Sequence, residues 1–150
     1  MAESISFVCY VHPEPQGSSK AFVIKGTNRA VVTSDNKKLK PFRQEVKRTA
    51  MAEVPRMPWA EKHVPVKMDV TFRLAKPASV SKKRTYPVVR PDLDKCVRAL
   101  ADSLTGVMWQ DDSQLVSLTA HKVYGDPEGV EVTVTMMEPP AGELFTRGAR

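Results

Sequence analysis

The chain has little of several things: two cysteines, three histidines and seven glycines in 150 residues. Cys9 and Cys96 stand far apart and form no C-x-x-C pair, so they offer neither a thiolate zinc site nor a disulfide framework. Both read as small buried residues of a chain kept in a reducing compartment. His12, His63 and His121 are scattered without ligand spacing. The glycines build no G-x-x-x-x-G-K-[ST] loop, no G-x-G-x-x-G after a strand and no G-x-S-x-G elbow. Nucleotide-cradling and acyl-transfer chemistries of those types are thereby set aside, and no small-molecule cofactor is expected. No apolar run approaches the roughly 20 residues of a membrane span. The opening MAESISFVCYVHPEP carries no basic n-region ahead of its short apolar stretch, so the expectation is a cytoplasmic protein with no membrane partner.

The chain does hold a surplus of positive charge, a formal +6 from 23 Lys and Arg against 17 Asp and Glu. Such a balance favours a polyanionic partner such as nucleic acid. Residues 5–11 alternate as a half-buried strand, with Ile5, Phe7, Cys9 and Val11 on one face. After the breaker stretch HPEPQGSSK, residues 21–25 and 29–33 read as strands of a hairpin turning at Gly26-Thr27-Asn28. Ser34 or Asp35 is a possible cap for the helix that follows, and Pro41 suits its first turn. That helix carries Leu39, Phe42, Val46 and Ala50 on its apolar side. Lys37, Lys38, Lys40, Arg43, Lys47 and Arg48 cover the rest, as a solvated face or as a phosphate-contacting one. The strictest alternation lies in 64–74, and a long connection, 75–90, follows with Ser79, Ser81, Lys82, Lys83 and Arg84. Loops of that length inside a domain are often functional.

Leu93, Val97, Leu100 and Leu104, widened by Cys96 and Ala101, predict a helix from about 92 to 105, ended by Thr105-Gly106. Residues 114–124 and 130–136 then read as two strands joined as an antiparallel hairpin by GDPEG. The order β-β-β-α-β-α-β-β predicts an α+β fold: one two-layer domain over residues 1–138, a mixed sheet with two main helices on one face. Residues 139–150 read as a loosely ordered tail.

Acids flank the second helix on both sides: Asp92 and Asp94 before it, Asp111 and Asp112 after it. A helix cap accounts for one acid of the first pair, and a polar loop entering a strand accounts for the second pair. The two pairs stand about 20 Å apart if the helix is straight, so convergence depends on the loop TGVMWQDD. If they do converge, two carboxylates 4 Å apart repel by about 4 kcal/mol at an effective dielectric near 20, and a cation must sit between them. Oxygen ligands without His or Cys suit Mg²⁺, with Mn²⁺ as a substitute. In a basic chain that combination fits phosphodiester cleavage, with Lys and Arg holding phosphates while the ion activates water. A D-x-D glycosyltransferase using Mn²⁺ and a sugar nucleotide is disfavoured by the small size and the lack of a nucleotide-binding βαβ unit.

The stretch RPDLDKCVRALADSLTGVMWQDDSQ, residues 90–114, resembles the signature of the RusA-type Holliday junction resolvases. That family reads P-D-[LI]-D-N, an apolar helix with K-A and D-A-L, a Gly, a Trp and D-D-[SA]-Q. The matching residues are Pro91, Asp92, Leu93, Asp94, Ala99, Asp102, Leu104, Gly106, Trp109, Asp111, Asp112, Ser113 and Gln114. PEPQGSSK is similar to the family's early Pro/Gln/Gly/Lys stretch, and the looser likeness spans about 130 residues. The resemblance implies a magnesium-dependent endonuclease, often phage-encoded, acting in DNA recombination and repair. Such enzymes work as homodimers that make paired nicks in four-way junctions, a two-fold arrangement matching the symmetric cleavage points.

By this likeness Asp92, Asp94 and Asp112 are the catalytic, metal-binding acids, with Asp111 close by as a further metal ligand. Arg98 stands where the family carries a catalytic lysine, able to support a phosphate but not to give up a proton. Lys95 replaces the usual Asn. Lys20, Lys82, Lys83, Arg84, Lys95 and Arg98 are the expected DNA contacts. The alternative is a branched-DNA-binding protein of the same fold that does not cleave.

Overall fold

The structure, a computed structural model, describes residues 2–17, 19–34 and 36–138, without the side chains of 19–22 and 31–34. The expected tail at 139–150 and the Lys20 side chain lie outside the described residues; the N-cap position of α1 is Lys38, which makes no side-chain cap bond, and not the expected Ser34 or Asp35. The elements are β1 Ser4–Cys9, β2 Ser19–Val23, β3 Ala30–Ser34, α1 Leu39–Met51, β4 Val66–Leu74, α2 Leu93–Leu104, β5 Leu115–Tyr124 and β6 Gly129–Met136, with a 3-10 turn at Asp112–Gln114. This is the expected α+β order, with every strand and α2 within two residues of the predicted bounds and α1 holding the predicted apolar residues Leu39, Phe42, Val46 and Ala50.

The period-2 pattern of β4 buries Val66, Met68, Val70, Phe72 and Leu74 and leaves the intervening residues half-buried. One face of the sheet therefore enters the core, as alternation requires. α1 buries Leu39, Phe42, Val46 and Ala50, and α2 buries Cys96, Ala99, Leu100, Ser103 and Leu104. These side chains and the inward strand residues form a single apolar cluster, with α1 against β1, α2 against β5 and the helices against each other. The result is a two-layer domain, as expected. Pro41 falls in the first turn of α1, where its missing N–H is not needed.

The strand pairing corrects one expectation. β5 and β6 do not form a hairpin: the sheet order is β1-β6-β4-β5, so β4 lies between them. β4 pairs parallel with β5 and antiparallel with β6. The turn after Tyr124 must therefore step across β4. β4 is the most regularly apolar strand, with every second residue buried, and takes a place with a neighbour on both sides. That outweighs the local closeness of β5 and β6 in sequence. A β4–α2–β5 crossover follows, a βαβ unit that the sequence did not disclose. No glycine-rich turn opens α2, where Arg90-Pro91-Asp92 stands instead. The β2–β3 hairpin turns where expected, with Gly26 at φ 83°, but forms its own two-stranded sheet.

Among the described residues no helix is long and apolar enough to cross a membrane. Both cysteines are free and buried, and burial pushes the Cys96 thiol up to about 12. Cys9 is raised too, again chiefly by burial. Both thiols are then protonated at neutral pH. A thiol-reactive chromogen should leave both unmodified in the native protein and titrate both in denaturant; rapid native labelling would contradict the packing. Leu100→Ala empties space in the core, where Leu100 is fully buried, and should lower stability by about 2–5 kcal/mol in urea unfolding. A Val116→Thr control at an exposed site should stay within about 0.5 kcal/mol.

Candidate active site

The parallel β4–β5 pairing fixes where the acids stand. The chain leaves the C-terminal end of β4, returns along α2 and enters β5 at the opposite end of the strands. Asp92 and Asp94 therefore lie at one end of the strands, and Asp111 and Asp112 at the other.

Asp92 occupies the N-cap position of α2, yet its side chain makes no capping hydrogen bond. Its contact is Lys95 Nζ at 3.5 Å, an exposed pair of the kind that contributes little. Asp94 sits in the first turn of α2, exposed, with no hydrogen bond or ion pair among the described residues. The cap alone thus accounts for neither carboxylate's side-chain position. Arg98 is exposed one turn beyond Asp94, at the i,i+4 spacing that puts the two side chains on one side of the helix.

Asp92 and Lys95 line a cleft of about 630 Å³, completed by His12, Pro15, Gly17, Asn36, Arg90 and Pro91. The early PEPQG stretch is one wall of it. Gln16 holds that wall to α2, its backbone N–H donating to Lys95 O at 3.0 Å and its amide donating to Asp102 Oδ2 at 2.6 Å. Asn36 braces the same wall through Glu14 Oε1 and Pro15 O, both at 3.1 Å. Lys122 of β5 donates to Val89 O at 2.6 Å and Pro91 O at 2.9 Å, pinning the segment that leads into Asp92. Arg90 and Lys122 were not singled out from sequence. Arg90 adjoins the acidic motif and could have been; Lys122 acts across 31 residues and leaves no local signal.

At the other end of α2, Asp112 accepts a hydrogen bond from the hydroxyl of Thr105, the helix's C-cap residue. The buried indole of Trp109 donates to the same hydroxyl at 3.0 Å. Gly106, at φ 91°, makes the tight turn that keeps this loop beside the helix end. Asp111 caps the 3-10 turn by accepting from Ser113 N at 2.9 Å. That donated N–H, with a further bond from Ser113, holds its carboxyl below the usual range. Gln114 is buried and bonded on both sides. Its Oε1 accepts from Gln110 N and Asp111 N, each at 2.9 Å, and its Nε2 donates to Glu61 O at 2.8 Å and Val64 O at 3.0 Å.

The D-D-S-Q run is therefore also a structural device. Within one chain it does not meet Asp92 and Asp94: the Cα path of α2 separates the pairs by about 20 Å. Among the described residues no three His, Cys, Asp or Glu side chains are grouped to hold a metal. Asp92 and Asp94 are hard, acceptor-only oxygen donors and fit Mg²⁺ in chemistry, but a single chain does not supply the full acidic set. Of the expected DNA contacts, Lys95 and Arg98 stand beside the acids. Lys82 and Arg84 line a separate cleft with Lys76, Tyr124 and Asp126, and Lys83 is exposed in the same loop.

Carboxylates at a helix start beside a surplus of Lys and Arg have the charge complement that phosphodiester cleavage requires. The sequence profile of the family described as Endodeoxyribonuclease RusA matches residues 12–135, and the chain belongs to that family. It is 30% identical over 142 residues to a protein of Bacillus subtilis (strain 168) named "Uncharacterized protein YqaN", covering 88% of this chain and 96% of the relative. It is also 40% identical over 78 residues to a Lactococcus phage r1t protein named "Crossover junction endodeoxyribonuclease rusA". That match covers 50% of this chain and 57% of the phage protein.

The bonding of Gln114 makes a sharp prediction. Gln114→Ala should cost about 1–3 kcal/mol by leaving buried backbone groups unpaired. Gln114→Glu, which removes the amide donor facing two carbonyls, should cost at least as much. Thermal unfolding checks both; a variant as stable as the parent would show that these bonds are idle.

Proposed function

We propose that the protein is a magnesium-dependent structure-specific endodeoxyribonuclease that resolves four-way DNA junctions by paired nicks, in recombination and repair. One observation carries the reading: at the start of α2 the carboxylates of Asp92 and Asp94 accept no hydrogen bond among the described residues, and Asp92 lines a cleft with Arg90 and Lys95, the latter its ion-pair partner at 3.5 Å. Family membership and the phage relative's name support the substrate class.

In this reading Asp92 and Asp94 hold the divalent ion, with manganese a possible substitute. Bound there, such an ion supplies Lewis acidity toward the phosphodiester and a lowered pKa for water. Arg98 steadies the phosphate as a permanent cation, and Lys95 contacts the backbone while offsetting the charge on Asp92. Lys82, Lys83, Arg84 and Lys20 would meet the DNA arms further out.

Asp112 needs a second copy of the chain. Because Thr105 keeps it at the far end of α2, it joins the first pair when a two-fold partner presents its own α2 C-terminus to the Asp92 cleft. Asp111 stays on its cap and positions Asp112. The homodimer thus has two equivalent composite sites, each suited to one of the two symmetric nicks.

The test uses end-labelled four-way junction and matched linear duplex, with Mg²⁺ or EDTA. Junction nicking should need the ion, exceed duplex nicking, and fall by at least roughly a hundredfold in Asp92→Asn, Asp94→Asn or Asp112→Asn. Mixing Asp92→Asn with Asp112→Asn should restore nicking, because a mixed dimer keeps one site with both acids intact. No restoration after subunit exchange sinks the shared site. Cleavage that survives EDTA sinks the metal assignment. Tight junction binding without nicking supports a binding-only protein.

A further inference from the structure

On α1, the Glu45 carboxylate pairs with Arg48, neutralising that cation, whereas the charges one face away have no such partner. Lys37, Lys40, Arg43 and Lys47 take part in no ion pair among the described residues. They converge on one side of a cleft of about 620 Å³ between α1 and the C-terminal half of α2, whose opposite wall includes Asp102 and Thr105. The one carboxylate in this lining already accepts the Gln16 amide at 2.6 Å. Four cations thus share a concave surface with one carboxylate, Asp102, among the described residues, an excess of positive charge that costs self-repulsion unless a further anion occupies it.

The spacing says what kind of anion. Lys40, Arg43 and Lys47 follow the i, i+3, i+7 stripe and so extend about 10 Å along the helix. A single small anion cannot engage that length. A strand with a phosphate every ~3.4 Å along its axis can meet all three. The apolar stripe Leu39, Phe42, Val46 and Ala50 buries the opposite side and keeps the cationic stripe facing outward. The cleft also ends at Thr105, whose hydroxyl holds Asp112.

We infer that the α1–α2 cleft is a DNA-backbone track, in which Lys37, Lys40, Arg43 and Lys47 bind consecutive phosphates of one strand and deliver it past Asp112. The inference rests on the DNA-cleaving reading above, and it adds a contact surface distinct from Lys82, Lys83 and Arg84. Backbone contacts carry no sequence information directly, and a track about 10 Å long meets only a short stretch of one strand, so it serves linear duplex and junction arms alike.

The test measures binding of labelled junction and labelled linear duplex by anisotropy in EDTA, across a salt series. The triple variant Lys40→Ala, Arg43→Ala, Lys47→Ala should flatten the dependence of log K on log salt by about 2–3. Affinity near 0.1 M salt should fall on the order of a hundredfold for both DNAs. The matching triple Gln variant should do the same, and unchanged circular dichroism in either variant secures the fold. Arg48→Ala, outside the cleft, should leave the slope unaltered. A triple variant with the parental slope overturns the track; if the parent still nicks junctions, the resolvase reading stands. Loss on the junction alone overturns the backbone assignment. A parent protein that binds neither DNA overturns both.

Discussion

The parallel pairing of β4 with β5 is the constraint on which the rest of the molecule depends. Parallel neighbours cannot be joined by a tight turn, so the chain must travel back the length of the sheet, and here α2 is the return path. The acids before the helix and the acids after it are then assigned to opposite ends of the β4–β5 strands. A tight turn at Gly106 and the Thr105–Asp112 contact remove the remaining slack. The separation of the two acidic pairs is therefore a property of the topology and not of one loop's conformation. Any account that unites them in one cation site has to bring in a second chain.

The two ends of α2 are built in contrasting ways. At the C-terminal end nearly every polar group is spoken for: Trp109, Thr105 and Asp112 share one hydroxyl, Asp111 caps the following turn, and Gln114 ties that turn to residues 60–64. Bonds among buried or half-buried groups make this region stiff, since each lost partner leaves a desolvated atom behind. At the N-terminal end the backbone is anchored by Lys122 and Gln16, while the carboxylates of Asp92 and Asp94 are left with spare acceptor capacity. A rigid frame around under-used oxygens is what a cation site needs before the cation arrives.

Much of this was legible in the residues. The 3.6 and 2.0 periodicities placed both helices and the strands of the main sheet, because burial on one face writes directly into sequence, while the β2–β3 hairpin was legible from its turn residues. The pairing of β5 with β6 was misread for a physical reason. The turn between them has hairpin chemistry, but which strands adjoin is decided by a competition for β4 that involves residues dozens of positions away. The acids were visible as a pattern, and their separation was visible as a helix length. What could not be read was the partner of each oxygen. Asp92 stands at a cap position without making the cap bond, whereas Asp111, which looked like a ligand, makes one. Residue identity is the same in both; only the backbone geometry differs.

That difference bears on why a basic chain tolerates Asp92 and Asp94 side by side. The exposed N–H groups of the first turn of α2 favour a negative charge by about 0.3–1 kcal/mol, and Lys95 adds a weak, solvent-screened attraction. Neither is enough to offset two carboxylates brought into close contact, whose repulsion at 4 Å is about 4 kcal/mol at an effective dielectric near 20. Exposure lets the side chains splay apart while the site is open to water. Once a strand of DNA excludes that water, the repulsion grows and the helix end alone no longer suffices. In the proposed reading a divalent ion would then be the least costly neutraliser of the two carboxylates. In that view the metal and the DNA favour each other's binding, and the cations on α1 contribute by raising the local concentration of the phosphate that completes the site.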